Sequence, residues 1–327
     1  MKVQRRRLLT ILAASAAVPA LVTATRASAQ QFPDRPVVLV VPFPPGGNVD
    51  TVARTIGEPM SKILGQPVIV ENRAGAGGGV GAAYVANAKP DGLTLLVAPP
   101  GQIATLPQMV NVGYTPKSFK PVGFANKTSM VLVARKDNPR FKNLAEFIAY
   151  AKANPGKLTV AHGGPGTPNH LAALQLEEAA GVQFTIVPYK GSAPMVQDLL
   201  GGQVDAAMDQ VTSSRPHFET ALHPVAVIGP SPDPGLPNVP TLRAVGLKEF
   251  DSTTYVGVVA PAGTPDAVIA VLSDALKKAV QQPAVGATFT KVGSAPYAGD
   301  AKEFAANVQR ENDLAIAMVK AGKLKAE

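Results

Sequence analysis

At 327 residues, 46% of them apolar and none of them cysteine, the chain is long enough to bury two modest cores; the composition excludes intrinsic disorder, disulfide scaffolding and thiol catalysis. The formal charge is +8, but five basic residues (Lys2, Arg5, Arg6, Arg7 and Arg26) and no acidic ones fall in the first thirty positions, which leaves +3 for the remainder. That balance calls for neither nucleic acid nor an anionic membrane surface as a partner, and no basic run with interleaved aromatics follows.

The first segment is a leader by its pattern. A basic start is followed by an apolar stretch from Leu8 to Val22 and by "ASA" at 27–29. The stretch is short and diluted with alanine, which favours a cleaved signal peptide over an anchor, with cleavage after Ala29 and a periplasmic destination. "RRRLL" leaves Sec and twin-arginine export both open.

Short apolar runs then alternate with helical periods. "VVLVV" (37–41), "VIV" (68–70), "LTLLV" (93–97), "LTVA" (158–161), "FTIV" (184–187), "VDAAM" (204–208) and "VAVIG" (225–229) are apolar on both faces, as strands covered by helices on both sides must be. Between them, the segment starting at Val49 sets Val49, Val52, Ala53, Ile56, Met60, Ile63 and Leu64 on one helical stripe. "NLAEFIAYAK" opens with Asn143 and Glu146 at capping-box spacing, and "DAKEFAANV" repeats this with Asp300 and Glu303. "TPDAVIAVLSDALKKAV" predicts Thr264 as cap and Pro265 as the first helical residue.

This alternation predicts an α/β protein with mainly parallel sheets. The strands fall into two groups, and the longer runs "SMVLVAR" (129–135) and "TTYVGVVAP" (253–261) flank the second. The expected layout is two lobes of the Venus-flytrap type. One takes residues 30–130 and 255–327, the other 131–254, with the chain crossing near 129–135 and 253–261. "GPSPDPGLPNVP" (229–240) reads as a surface loop.

Two loops carry the functional signal. In "VPFPPGGNVDTVAR" (41–54) a strand ends, prolines stiffen the loop, Gly46 and Gly47 permit close approach, and a helix starts near Asn48. "AHGGPGTPNHLAAL" (161–174) repeats this order, with Gly163 and Gly164 in the loop and a helix starting near Asn169. Free N–H groups at a helix start attract anions, and ligands of doubly wound sheets sit beyond the carboxyl ends of strands. Two such loops facing each other would cradle a carboxylate.

"HGGPG" is equally a pattern for a hydrolase oxyanion hole. A secreted α/β hydrolase is therefore the rival reading, although no G-x-S-x-G supplies its serine. No H-E-x-x-H or clustered ligand set predicts a metal. "RAGAGGGVGAA" (73–83) contains a G-x-G-x-x-A, but the strand after it ends in "LLVAPP" without the acid a dinucleotide site needs. It reads as a packing loop. No catalytic residue, cofactor or metal is expected.

The ordered set "PFPPGGNVDTVAR", "VENRAGAGGGVGA", "PDGLTLL", "YTPKSFKPV", "GPGTPNHLA", "VPYKGSAPMVQDLLGGQVD", "LPNVPTL" and "APAGTP" resembles the Bug-type extracytoplasmic solute receptors of the tripartite tricarboxylate transporter systems, over nearly the whole chain. The resemblance implies a two-domain binding fold that closes on a small carboxylate, held by the two strand–helix loops and by water, and that delivers it to membrane transporter subunits as a monomer. It places Phe43, Gly46, Gly47 and Asp50 on the first loop and Gly166, Thr167 and His170 on the second. Tyr189, Lys190 and Gly191 fall on "PYKG", Asp209 follows "GGQVD", and Ala98 to Gly101, with Pro100 among them, close the third strand at the cleft mouth.

Each has a plainer role beside it. Asp50 could cap its helix, His170 could bond its own loop, and Lys190 is by default a solvated lysine. The chain departs from the family pattern at Gly163, where serine is common, at Ala244 for a glutamate and at Tyr255 for a tryptophan. His162 has no typical family counterpart. A sensor receptor serving a membrane kinase would share all these features.

Overall fold

The computed structural model describes residues 32–324, so the leader reading and its cleavage site lie outside the described residues. The chain runs β1 (Val37–Val41), α1 (Asn48–Leu64), β2 (Val68–Asn72), α2 (Gly79–Ala86), β3 (Thr94–Ala98), α3 (Pro100–Ala104), α4 (Leu106–Met109) and β4 (Phe119–Thr128). It continues as β5 (Met130–Arg135), α5 (Leu144–Ala153), β6 (Thr159–His162), α6 (Pro168–Ala180), β7 (Thr185–Pro188), α7 (Ser192–Leu200), β8 (Ala206–Gln210), α8 (Val211–Ser214) and β9 (Leu222–Ile228). It ends with β10 (Thr254–Pro261), α9 (Asp266–Val280), α10 (Pro283–Lys291), β11 (Ser294–Pro296) and α11 (Ala301–Lys320). Among these, no helix is long and apolar enough to cross a membrane.

Two sheets result, in the orders β11-β4-β10-β3-β1-β2 and β7-β6-β8-β5-β9. Alternation along β1 explains why helices cover both faces of the first. Val37, Leu39 and Val41 point into a core with Val52, Ile56 and Met60 of α1 and Leu272 and Leu276 of α9, while Val38 and Val40 face Ala82, Val85, Leu96 and Phe304. The second sheet does the same, with Leu132 and Met208 against α5 and α6, and Val133 and Ala207 against α7. Truncating a fully buried member such as Ile56 to alanine costs about 2–5 kcal/mol.

Both sheets are mixed where mainly parallel pairing was expected. β1, β2 and β3 are parallel, as are β6, β7 and β8, but β4 and β10 pair antiparallel with each other and β5 runs antiparallel to β8 and β9. The reason is topological: β4 carries the chain out of the first sheet and β10 brings it back, so the two run in opposite directions. Neither β4 nor β11 was predicted. "FKPVGFANKT" holds Pro121 and Gly123, which spoil a strand pattern, and both sit at or beside irregularities in the β4–β10 register. Asn143 and Asp300 cap α5 and α11 as their sequences predict, accepting from the Glu146 and Glu303 N–H groups at 2.9 and 2.8 Å. Thr264 does not cap α9: its hydroxyl donates to the Pro261 carbonyl, and the helix starts at Asp266 with Pro265 before it.

The lobes meet through glycine. A methyl group added at Gly77 (φ +61°) would stand 2.8 Å from the Pro165 carbonyl oxygen, and one at Gly164 (φ +124°) would stand 3.2 Å from the Gly77 Cα. "RAGAGGGVGAA" is thus a packing loop, and part of what it packs against is the other lobe. A second contact is apolar: Met109 of α4, Leu171 of α6, and Ala315 and Met318 of α11 share one buried cluster. α11 therefore reaches from Phe124 beneath Phe304 in the first lobe to α6 in the second.

Candidate functional site

Between the lobes lies a cavity of about 30 Å³ lined by Phe43, Gly47, Asn48, Val49, Pro99, Gly163, Thr167, Pro168, Asn169, Gly191, Ser192, Gln210 and Thr254. It sits beyond the carboxyl ends of β1, β3, β6 and β8, where open α/β sheets hold ligands. The volume admits a carboxylate group or one or two waters, so a longer acid requires the lobes to part.

Three helix starts converge on it. α1 begins after Gly47 and α7 after Gly191, both without a side-chain cap, and α6 begins after Thr167. The first N–H groups of a helix have no partner within it, so α1 and α7 turn open donors and positive dipole ends to the cavity. Asn48 is buried at 3% exposure with neither side-chain oxygen nor nitrogen partnered, and the Thr254 hydroxyl is likewise buried and unpartnered. Buried polar atoms without partners cost about 1–3 kcal/mol each, a cost that an incoming polar group removes. No charged side chain lines the cavity among the described residues.

Of the residues predicted for the site, Phe43, Gly47, Asn48, Gly163 and Thr167 line this cavity. The others do different work. The buried Asp50 carboxylate turns back on its own loop, accepting from the Gly46 N–H at 2.9 Å, from Arg54 Nε at 2.9 Å and from Asn72 Nδ2 at 2.9 Å. Burial alone would raise its pKa, but the bonds from Arg54, Gly46 and Asn72 outweigh burial and hold it below the usual carboxylate range. Asn72 also donates to the Phe43 carbonyl at 3.0 Å, so this knot fixes the first loop. Gly46 is exposed and Lys190 is exposed, Ala98 and Pro100 are buried beside Pro99, and the Tyr189 hydroxyl donates to Asp198 at 2.7 Å.

Gly164 and Gly166 are committed within the second loop. Their N–H groups donate to Nδ1 of His162 and His170, at 3.2 and 3.3 Å. Those N–H groups of "HGGPG" therefore serve the loop itself, neither an oxyanion nor a carboxylate. The two imidazoles stack at 4.4 Å and line a separate cavity of about 290 Å³ with Met109, Pro165 and Lys323, which is why His170 lies outside the cleft. Burial pushes both well below the usual imidazole range, and for His162 the neighbouring His170 adds to this.

A histidine depressed on folding stabilises the neutral-pH state and loses that contribution as pH falls below its unfolded value near 6.5. At pH 5 the loss is about 2 kcal/mol per histidine, against a gain of about 1 kcal/mol from Asp209, whose shift has the opposite sign. The melting temperature should therefore drop by several degrees between pH 7 and pH 5, and His170→Gln should make that drop shallower.

Val49, Pro168, Asn169, Ser192, Gln210 and Thr254 line the cavity without being named for the site by the sequence, and Pro99 and Gly191 join them from the stretches at 98–101 and "PYKG". Ser192 opens α7, a helix whose start the short "KGSAP" obscures. Gln210 ends β8, two residues beyond the predicted strand. A strand closing on buried "DQ" after "AAM" was the available signal, since buried polar residues at a carboxyl-terminal strand end need a reason to be there.

Two α/β lobes around a cleft of helix N-termini and neutral polar groups define a solute-binding protein. The sequence matches the family model described as the tripartite tricarboxylate transporter family receptor over residues 52–324, and the chain belongs to that family. It is 40% identical over 308 residues to the UPF0065 protein in the tcbD-tcbE intergenic region of Pseudomonas sp. strain P51, covering 93% of this chain and 90% of that one. The structure resembles periplasmic binding protein BugD, with a TM-score of 0.84 and 37% identity over 90% of this chain and all of that one. It resembles equally MatC of Rhodopseudomonas palustris with bound malate, with a TM-score of 0.82 and 37% identity over 88% of this chain and all of that one.

Proposed function

We propose that this protein is an exported receptor that captures a small carboxylic acid between its lobes, in the periplasm, and hands it to membrane transporter subunits. The observation that carries the reading is the convergence of open helix starts with the unpartnered Asn48 and Thr254 on one interlobe cavity. A carboxylate accepts from the donors among those groups: the open N–H groups, the Asn48 Nδ2 and the Thr254 hydroxyl. Bonds from backbone N–H to an ionised oxygen are about twice as strong as neutral ones. MatC, similar in fold and sequence, holds malate. Capture proceeds by hinge closure about the crossings near 129–135 and 253–261, between a lobe of residues 30–130 and 255–327 and a lobe of residues 131–254. Closure joins both lobes into the single surface that a permease reads. The protein works as a monomer and does no chemistry on its cargo.

A thermal-shift panel tests this with acetate, malate, succinate, adipate, citrate, glutamate and benzoate, each beside its amide. An acid at a hundred times its dissociation constant stabilises by about 2.7 kcal/mol. The expected result is a shift with at least one acid and none with its amide. Equal shifts for acid and amide, or turnover of an ester, would sink the proposal.

A further inference from the structure

Asp209 stands one residue before the cavity-lining Gln210, behind Ser192, in an unusual electrostatic setting. Its side chain is completely buried on β8 and has only neutral donors for partners: Ser192 Oγ lies 2.7 Å from one carboxylate oxygen and Ser214 Oγ 2.5 Å from the other, with the Gln210 N–H and the Asn169 side chain also bonded to it. Among the described residues no cation offsets it. The groups that face it from α6, α7 and α8 are Asn169, Ser192 and Ser214, and its partner in the β5 register is Val131, all uncharged. The ionisable side chains nearest in sequence on the same loop and helix, His162 and His170, line the other cavity.

Ser192 has one proton and two acceptors, Asp209 at 2.7 Å and Gln210 Oε1 at 3.3 Å. While Asp209 is ionised, that proton is drawn to it, and Ser192 turns lone pairs toward the cavity it lines. An acid anion arriving there meets lone pairs, with a second carboxylate one hydroxyl behind. Two carboxylates separated by one hydroxyl, with only neutral groups around them, disfavour ionisation of both at once, and the more deeply buried Asp209 is the one that takes the proton.

We infer that carboxylate capture is coupled to proton uptake at Asp209. A proton taken from solvent and held on Asp209 lets Asp209 donate a hydrogen bond to Ser192 Oγ, and the Ser192 hydroxyl then donates a hydrogen bond to the bound carboxylate. The inference rests on the carboxylate reading above. Burial already raises the Asp209 pKa to about 6, with the Ser214 and Ser192 hydrogen bonds working against burial, so the free protein has this group ionised at pH 7.5 and within reach of protonation. Asp209 is a positioning residue here: it acts on the ligand through Ser192.

The test is calorimetric titration of the protein with malate, succinate, adipate and benzoate in turn, at pH 7.5, in Pipes and in Tris, whose ionisation enthalpies differ widely. The expected result is uptake of about one proton per acid bound at pH 7.5, with affinity dropping about tenfold per unit of pH above 7. Asp209→Asn, whose amide can donate to Ser192 permanently, should flatten the affinity profile and remove the uptake. Measurable binding with equal heats in both buffers overturns the inference and leaves the carboxylate reading standing, and this result needs no variant to fold. Binding by none of the acids overturns the reading and the inference together.

Discussion

Asp50→Ala is expected to destabilise the protein by about 3 kcal/mol and to weaken acid binding by more than tenfold. The carboxylate is 4% exposed and gathers the Gly46 N–H and Asn72 Nδ2, so its removal leaves the Gly46 N–H without a partner and Asn72 Nδ2 with the Phe43 carbonyl alone. Arg54 contributes little, because its side chain is 54% exposed and water screens and replaces the ion pair. Arg54→Ala should therefore cost under about 1 kcal/mol, and the contrast separates a loop knot from a surface salt bridge. The affinity loss follows from geometry: the knot holds Phe43 and Gly47 where they line the cavity. Denaturant melts and the acid panel read both effects. The depressed Asp50 pKa means its contribution persists above pH 4 and fades only as pH falls below the unfolded value of 3.8.

Gly77→Val is expected to act on closure more than on folding. Gly77 has φ +61°, and any side chain there must pass the Pro165 carbonyl oxygen, 2.8 Å from the first carbon it would add. Positive φ costs a β-branched residue of order 1–3 kcal/mol whatever the lobes do, and under the proposed hinge closure the clash with Pro165 is added only in the closed state. Affinity falls with the fraction of molecules able to close, so a closing penalty of about 3 kcal/mol means a loss of about a hundredfold. The expected pattern is a modest drop in melting temperature, a large drop in affinity and a larger radius of gyration with acid present. Unchanged affinity would mean that the Gly77–Pro165 contact does not belong to the bound state.

The sequence was most informative where one physical requirement acted alone. The apolar runs of β1, β3 and β6 show in the pattern because helices cover both faces, and the caps of α5 and α11 show because Asn143 and Asp300 have the right partner three residues on. β4 did not show, because a strand that also joins two lobes bends around Pro121 and Gly123. In the site, the glycine-rich stretches lead to the cavity, with Gly47 and Gly163 in its lining. They did not reveal which polar side chains those loops face, since Asn169, Ser192 and Gln210 come from three elements brought together only by the fold. Asp50 and His170 lie in the first turns of α1 and α6, and each side chain turns back on the preceding loop. Which way each side chain points depended on hydrogen bonds to Gly46 and Gly166 that no spacing encodes.

The central claim is that a carboxylate binds between the helix starts, and a crystal structure with malate, or with whichever acid gives the largest shift in the panel, tests it most directly. The account predicts a carboxylate oxygen within hydrogen-bond distance of the first N–H groups of α1 and of Ser192, with Asn48 and Thr254 newly partnered. An acid bound instead in the cavity of His162 and His170, with Asn48 and Thr254 still unpartnered, would contradict it.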